Sequence, residues 1–211
     1  GDGRQVLTAL EVACALASPG RVTLGHVEAA LGTSALRYGR DDHYDVVSAF
    51  IKSMRGSDPD AAIHWMARML QAGDDARFIA RRMVIFASED VGMADPSALQ
   101  VAVAAFNAYH QLGSPEGELA LAQGVVHLAL APKSNAVYTA YKGVMNEIEQ
   151  SGSLPPPKVI LNAPTKLMKG LGYGEGYAYA HDDPEGAKLQ QHLPDELVGR
   201  TWWTPRTPPR G

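Results

Sequence analysis

Cysteine is nearly absent. Cys14 stands alone among 211 residues, which excludes an internal disulfide and a cysteine-rich metal site. Set among alanines and leucines, Cys14 reads as a buried, inert thiol, and this sparing usage fits a reducing cytoplasm. An excess of basic residues is also missing: 19 Lys and Arg face 23 Asp and Glu, for a net charge of −4. That balance leaves no global basic footprint for nucleic acid. Long apolar runs are absent too, because the most apolar stretch, residues 119–131, is interrupted by Gln123 and His127 and is too short to span a bilayer. No basic start followed by an apolar segment marks a secretory signal. Instead Gly1-Asp2-Gly3-Arg4 leads abruptly into an apolar-periodic segment, the start expected of a truncated chain.

Catalytic signatures are missing as well. There is no G-x-x-x-x-G-K-[ST], hence no P-loop to cradle a nucleotide, and no G-x-S-x-G or H-E-x-x-H. The seven histidines (26, 43, 64, 110, 127, 181 and 192) are scattered singly, with no pair at i, i+4. They read as surface or satisfied core residues rather than metal ligands. No repeat of fixed period appears, which favours a compact bundle over a solenoid.

What is present is helical punctuation. Asp58-Pro59, Asp95-Pro96 and Ser114-Pro115 each set a capping side chain before a proline. The cap accepts a bond from an orphan amide, and Pro at the first helical position loses no donor that had a partner. Gly32, Gly56, Gly73, Gly92 and Gly113 stand where helices should stop. These marks divide the first 150 residues into about eight helices. Apolar spacing agrees: Val46, Phe50 and Met54 share one helical face, as do Ile63, Met66 and Leu70, and Ile79, Met83 and Phe86. Residues 99–112 and 118–131 are apolar on nearly all sides, so both helices are expected to be buried all round, in a central position or in a subunit interface.

After Gln150 the character changes. Ser151-Gly152-Ser153 and Pro155-Pro156-Pro157 end the bundle, a brief strand is possible at Val159-Ile160-Leu161, and a short helix fits Thr165 to Leu171. Tyr173, Tyr177, Tyr179, Trp202 and Trp203 are too many aromatics for a disordered tail. The segment reads as an irregular, ordered extension packed on the helical body. Its run Gly170-Leu171-Gly172-Tyr173-Gly174-Glu175-Gly176-Tyr177 does not match G-x-G-x-x-G. Alternating Gly and Tyr instead lets the backbone bend closely while the rings pack.

Two groups of charges stand out. Glu89 and Asp90 close the helix that carries Arg81 and Arg82, an unfavourable place for carboxylates against the macrodipole. An interface or structural ion pair with a basic group explains the exception, and a paired acid/base role is the rival. Lys133, Lys166 and Lys169 form a possible phosphate-contact strip, with a solvated face as the alternative.

Four phrases together resemble one family. They are Arg55-Gly56-Ser57-Asp58-Pro59-Asp60-Ala61-Ala62, then Ala87-Ser88-Glu89-Asp90-Val91-Gly92-Met93-Ala94-Asp95-Pro96, then Leu128-Ala129-Leu130-Ala131-Pro132-Lys133-Ser134-Asn135-Ala136. The fourth is Asn162-Ala163-Pro164-Thr165-Lys166-Leu167-Met168-Lys169, continuing to Tyr177-Ala178-Tyr179-Ala180-His181-Asp182. In order, they resemble the C-terminal part of the RarA/MgsA (replication-associated recombination protein A) family of AAA+ ATPases, related to the Werner-helicase-interacting ATPase and to clamp loaders. The resemblance implies a mainly α fold with three parts. Residues 1–36 would be the end of an AAA+ lid, 42–150 a collar-like helical oligomerisation domain, and 151–211 the irregular extension. It implies that Arg4 is similar to the sensor-2 arginine that touches nucleotide, idle here without the rest of the ATP site. It also implies a homotetramer with no catalytic residue, metal or cofactor of its own. ATP and Mg, DNA and single-stranded-DNA-binding protein would be engaged through the whole protein at stalled or gapped forks, with no membrane. Two rivals remain: a monomeric helical adaptor for a protein partner, and a free-standing all-helical hydrolase using Glu89, Asp90 and a histidine.

Overall fold

The computed structural model describes residues 3–31 and 40–205, with the side chains of residues 3–5, 8, 31 and 40–42 outside the description. Gly32, expected to end a helix, lies outside the described residues, as does most of the join between the expected lid and collar. The described residues are helical and turn-like without a strand, in ten α-helices. They are α1 Gly3–Ala17, α2 Leu24–Leu31, α3 Arg40–Arg55, α4 Pro59–Gln71, α5 Ala76–Phe86, α6 Ser97–Leu112, α7 Glu116–Leu130, α8 Ala136–Ser151, α9 Lys166–Gly170 and α10 Pro184–Leu189. Eight of them fall within the first 151 residues, as the punctuation suggests. The chain divides into two compact units. One comprises Gly1–Val91 with Asp95–Lys133, the other Gly92–Ala94 with Ser134–Gly211, so α8 groups with the extension and not with α3–α7.

In the first unit α1 packs on α2 through Ala9, Ala13 and Ala17, four apart on one face. Cys14 points the other way and is exposed, contrary to the buried thiol expected from its neighbours. The hydrophobic core belongs to α3–α7. Val46, Phe50 and Met54 of α3, and Ile79, Met83 and Phe86 of α5, are all buried on the faces their spacing defined. On α4 the buried face has slid by one residue, to Ala62, Met66 and Met69, while Ile63 and Leu70 sit at its edge.

The two apolar helices part company. α7 is the central one, packing on α3, α4, α5 and α6 and burying Leu121, Val125, Leu128 and Ala129. α6 buries an all-alanine face, Ala98, Ala102 and Ala105, and leaves Leu99, Val103 and Leu112 in solvent. The expectation of burial all round is therefore corrected for both helices, since α7 too leaves Leu119 and Leu130 exposed. The small inward residues of α6 admit α7 at close range, with Phe106 and Tyr109 packed partly against the core.

Caps follow local chemistry. Asp58 accepts from Ala61 N at 2.9 Å with Pro59 opening α4. Asp95 accepts from Ser97 N at 3.0 Å and from Ser97 Oγ at 2.6 Å. Ser114 departs from expectation: its hydroxyl bonds the Glu118 carboxylate, and Gly117 N donates instead to Gly113 O at 2.6 Å. Among the stops, Gly73 adopts φ 89° with Asp74 N bonded back to Met69 O at 3.0 Å, a left-handed helix end. At the end of α3 the left-handed residue is not Gly56 but Ser57, at φ 59°.

In the second unit Lys158–Ile160 is a 3₁₀ turn where a brief strand was expected; it follows three prolines and finds no strand to pair with. Gly172, Gly174 and Gly176 all take positive φ, and a Cβ at Gly174 would lie 3.1 Å from Leu161 O. The alternating glycines thus bend this run tightly against residues 158–161. Trp202 returns to α8, where a Cβ at Gly143 would lie 3.0 Å from its ring, and Arg200 approaches Glu147 at 3.8 Å.

Asp95 gives a pH prediction. The Ser97 hydroxyl first, then the Ser97 amide and His127, hold its carboxyl below the ordinary aspartate value, against an opposing effect of burial. A carboxyl with a depressed folded pKa adds stability above its unfolded pKa, about 3.9. The contribution is lost as pH falls through the lower folded value. We expect Asp95→Asn to lower the urea midpoint at neutral pH and to flatten the acid limb of the titration, so that variant and parent converge below about pH 4. An unaltered acid limb would refute the assignment.

Candidate functional site

Three of the four family-like phrases meet in space at one end of the first unit. Arg55, the last residue of α3, donates from Nε to Asp90 Oδ1 at 2.6 Å and from Nη2 to Oδ2 at 3.2 Å, a two-toothed fork. Asp90 reaches it from a π-helical turn, Ala87–Val91, that extends α5. Such turns insert a residue into a helix and re-aim its side chains. Lys133 arrives from beyond the end of α7. Its ammonium donates to Ala129 O at 2.8 Å and Ala131 O at 2.5 Å, stands 3.4 Å from Ser57 Oγ, and lies 6.0 Å from the Phe86 ring centre.

The electrostatics follow from this geometry. The hydrogen bond to Asp90 raises the Arg55 pKa, with burial opposing and the charges of Asp90 and Glu89 assisting. Burial lowers the Lys133 pKa, and the charge of Asp90 offsets part of that. Lys133 serves the carbonyls that a helix C-terminus leaves without amide partners, where a cation is also favoured by the helix dipole. Both Asp90 oxygens are committed to Arg55. The cluster is a polar lock that ties the α3–α4 turn, the π turn and the end of α7 into one piece.

Asp90 therefore pairs with Arg55, 35 positions away, and not with Arg81 or Arg82 of its own helix. Arg81 is exposed, and Arg82 is half-buried with its Nε lacking a hydrogen bond. Glu89 acts on Arg55 only through its charge. Arg55 and Ser57 were quoted in a family phrase but not singled out as site residues. A helix-ending arginine beside a turn, and two carboxylates at a helix C-terminus, were the available signals for the pair. Of the lysine strip, Lys133 turns its ammonium onto carbonyls, whereas Lys166 and Lys169 lie exposed on α9 in the second unit. Arg4 falls in the first turn of α1 and its side chain lies outside the described residues. Nearby on the bundle, His127 Nε2 comes within 3.1 Å of Asp95 Oδ2, in a geometry that does not make a well-formed hydrogen bond. Among the described residues, no group of three or more His, Cys, Asp or Glu is placed to hold a metal ion.

A recess lies wholly within the other unit. It measures about 720 Å³ and is bounded by residues 159–163, by Lys169, by 173–175, by Tyr177 and by His192. No described helix is long and apolar enough to cross a membrane.

Known proteins resemble the chain along its whole length. Residues 56–210 match the family model described as the MgsA AAA+ ATPase C terminal, and residues 1–55 match the AAA C-terminal domain. The boundary between the two models falls at the Arg55 end of α3, where the polar lock sits. An AAA domain-containing protein of Mycobacterium tuberculosis is 52% identical over 209 residues, covering 97% of this chain and 46% of that protein. The Escherichia coli replication-associated recombination protein A is 43% identical over 213 residues, 97% of this chain and 48% of its own. The ATPase WRNIP1 of Dictyostelium discoideum is 44% identical over 160 residues, 75% of this chain and 18% of its own. The chain thus spans about half the length, or less, of these relatives. With an all-helical fold and both family models in register, the chain belongs to the RarA/MgsA family of AAA+ ATPases, of which it represents the C-terminal region.

Proposed function

We propose that this chain is the oligomerisation region of a clamp-loader-like AAA+ ATPase that acts at stalled or gapped replication forks. The observation that carries the reading is the exposed row of Leu99 and Val103, one turn apart on α6, on the side away from the buried Ala98, Ala102 and Ala105. A second copy of the chain would remove this row from water, and the assembly we propose is a homotetramer. Exposed apolar groupings of this kind mark protein–protein interfaces. Residues 1–36 would complete the lid of the ATPase module, 42–150 would form the collar, and 151–211 the extension. ATP, Mg, DNA and single-stranded-DNA-binding protein would be engaged by the whole protein, in the cytoplasm. This chain contains no P-loop, so Arg4 would be its one contribution to nucleotide sensing.

The test is the solution mass by light scattering over a dilution series. Val103 is 39% exposed, so Val103→Asp can be accommodated by a folded protomer but not by an apolar contact, where an unpaired charge costs several kcal/mol. We expect the variant to dissociate at concentrations where the parent chain stays assembled, with its helical circular dichroism unchanged. A parent chain that is monomeric at every concentration would overturn the reading and leave the adaptor. Equal masses for both proteins would move the interface elsewhere.

A further inference from the structure

The recess in the second unit is built by three irregular segments tied together through the backbone. Gly174 N donates to Lys158 O at 2.9 Å, Tyr173 N to Met168 O at 3.1 Å, and the Gln190 side chain accepts from Ala178 N at 2.7 Å. These bonds fix residues 158–163, 168–178 and 190–192 around one space of about 720 Å³, within the range of small-ligand sites. Its lining is of mixed character. Tyr173, Tyr177 and His192 offer rings, Asn162 and Glu175 offer an amide and a carboxylate, and Lys169 offers a cation. The Tyr177 side chain is half-exposed.

We propose that this recess receives an unpaired base of single-stranded nucleic acid. Flat rings accept any base face, and stacking of this kind is tolerant of sequence. The Glu175 carboxylate can accept from an exocyclic amine on a base edge, and the Asn162 amide can both donate and accept. Lys166 and Lys169 stand three apart on α9 and so share a helical face, placed to meet backbone phosphates beside the stacked base. A duplex offers no such base, because its faces are covered. The choice of nucleic acid rests on the replication role proposed above for the whole protein, but it needs no particular oligomeric state.

The experiment is fluorescence anisotropy of the chain with a fluorescein-labelled oligodeoxycytidylate of about twelve nucleotides, whose bases carry an exocyclic amine, at low salt, with solution mass measured on the same samples. We expect binding that Tyr177→Ala weakens about tenfold and Tyr177→Phe preserves, because the phenyl face is kept. Lys169→Ala should weaken binding of every sequence and reduce the salt slope by about 0.7. Tyr44→Ala, which removes an exposed ring in the other unit, should change nothing. A parent chain that fails to bind overturns the proposal, as does a Tyr177→Ala chain that binds like the parent or a duplex that binds equally well. An assembled chain that does not bind removes this proposal alone. A binding chain that stays monomeric removes only the assembly reading.

Discussion

Replacing Gly117 by alanine is expected to destabilise the first unit by about 2 kcal/mol, whereas the same change at Gly124, on the same helix, is expected to be near neutral. Both glycines are buried where α7 meets its neighbours, and both would place a Cβ inside contact distance. The atoms in the way differ. At Gly117 they are the Tyr109 Cα at 2.9 Å and Tyr109 O at 3.3 Å, so the backbone of α6 must move. At Gly124 the nearest atom is the Met83 methyl at 2.6 Å, the far end of a flexible side chain, followed by the Ala105 Cβ at 3.1 Å. Methionine can turn aside, and a mid-helix Gly→Ala change returns up to about 1 kcal/mol of helix propensity. Gly117 lies in the first turn of α7, where that return is smaller. A loss of about 2 kcal/mol corresponds to roughly 4–8 °C in melting temperature for a chain of this size, and Gly117→Val should lower it further. If Gly117→Ala and Gly124→Ala melt together, the α6–α7 contact is looser than the backbone distances state.

The contrast shows what a sequence exposes to reading and what it hides. Local features were legible: Asp58 caps α4 because the chemistry spans three residues. The buried faces of α3 and α5 were legible because large residues recur at helical spacing along one face. α6 was misread because apolar content was equated with burial. There the buried residues are alanines, Phe106 and Tyr109 pack only partly, and Leu99 and Val103 face out. Cys14 failed for a related reason, since its alanine neighbours take the inward positions on α1. The lock was illegible as geometry, though its phrases were recognisable as text. Arg55 and Asp90 are 35 residues apart, Ser57 and Lys133 76 apart, and no periodicity links such partners. The recess in the extension was hidden likewise, because three irregular segments build it and none carries a helical pattern.

The lock itself supplies the second large effect. Asp90→Ala is expected to cost about 2 kcal/mol, although Arg55 has half its side chain in water. The exposed fork contributes little by itself, since solvent screens such a pair. Lys133 adds to the cost, because its part-buried ammonium loses the Asp90 charge that offsets its desolvation. That origin fixes the pH dependence. Burial sets the folded Lys133 pKa below its unfolded value, so between the two the unfolded chain binds more protons and stability rises with pH. Removing Asp90 lowers the folded value further and widens that window downward. The deficit of Asp90→Ala should therefore shrink as pH rises from 7 towards about 10, read as converging urea midpoints. Arg55→Ala, which leaves Asp90 beside Lys133, should cost less and show no such convergence. Ser57→Gly runs the other way. Its left-handed backbone, φ 59°, costs a residue with a Cβ about 1 kcal/mol, and the 3.4 Å approach of Lys133 returns little of it. We expect that change to stabilise the chain by up to about 1 kcal/mol. If Ser57→Gly instead destabilises while Asp90→Ala is silent, then the serine hydroxyl, and not the aspartate, is what holds Lys133 in place.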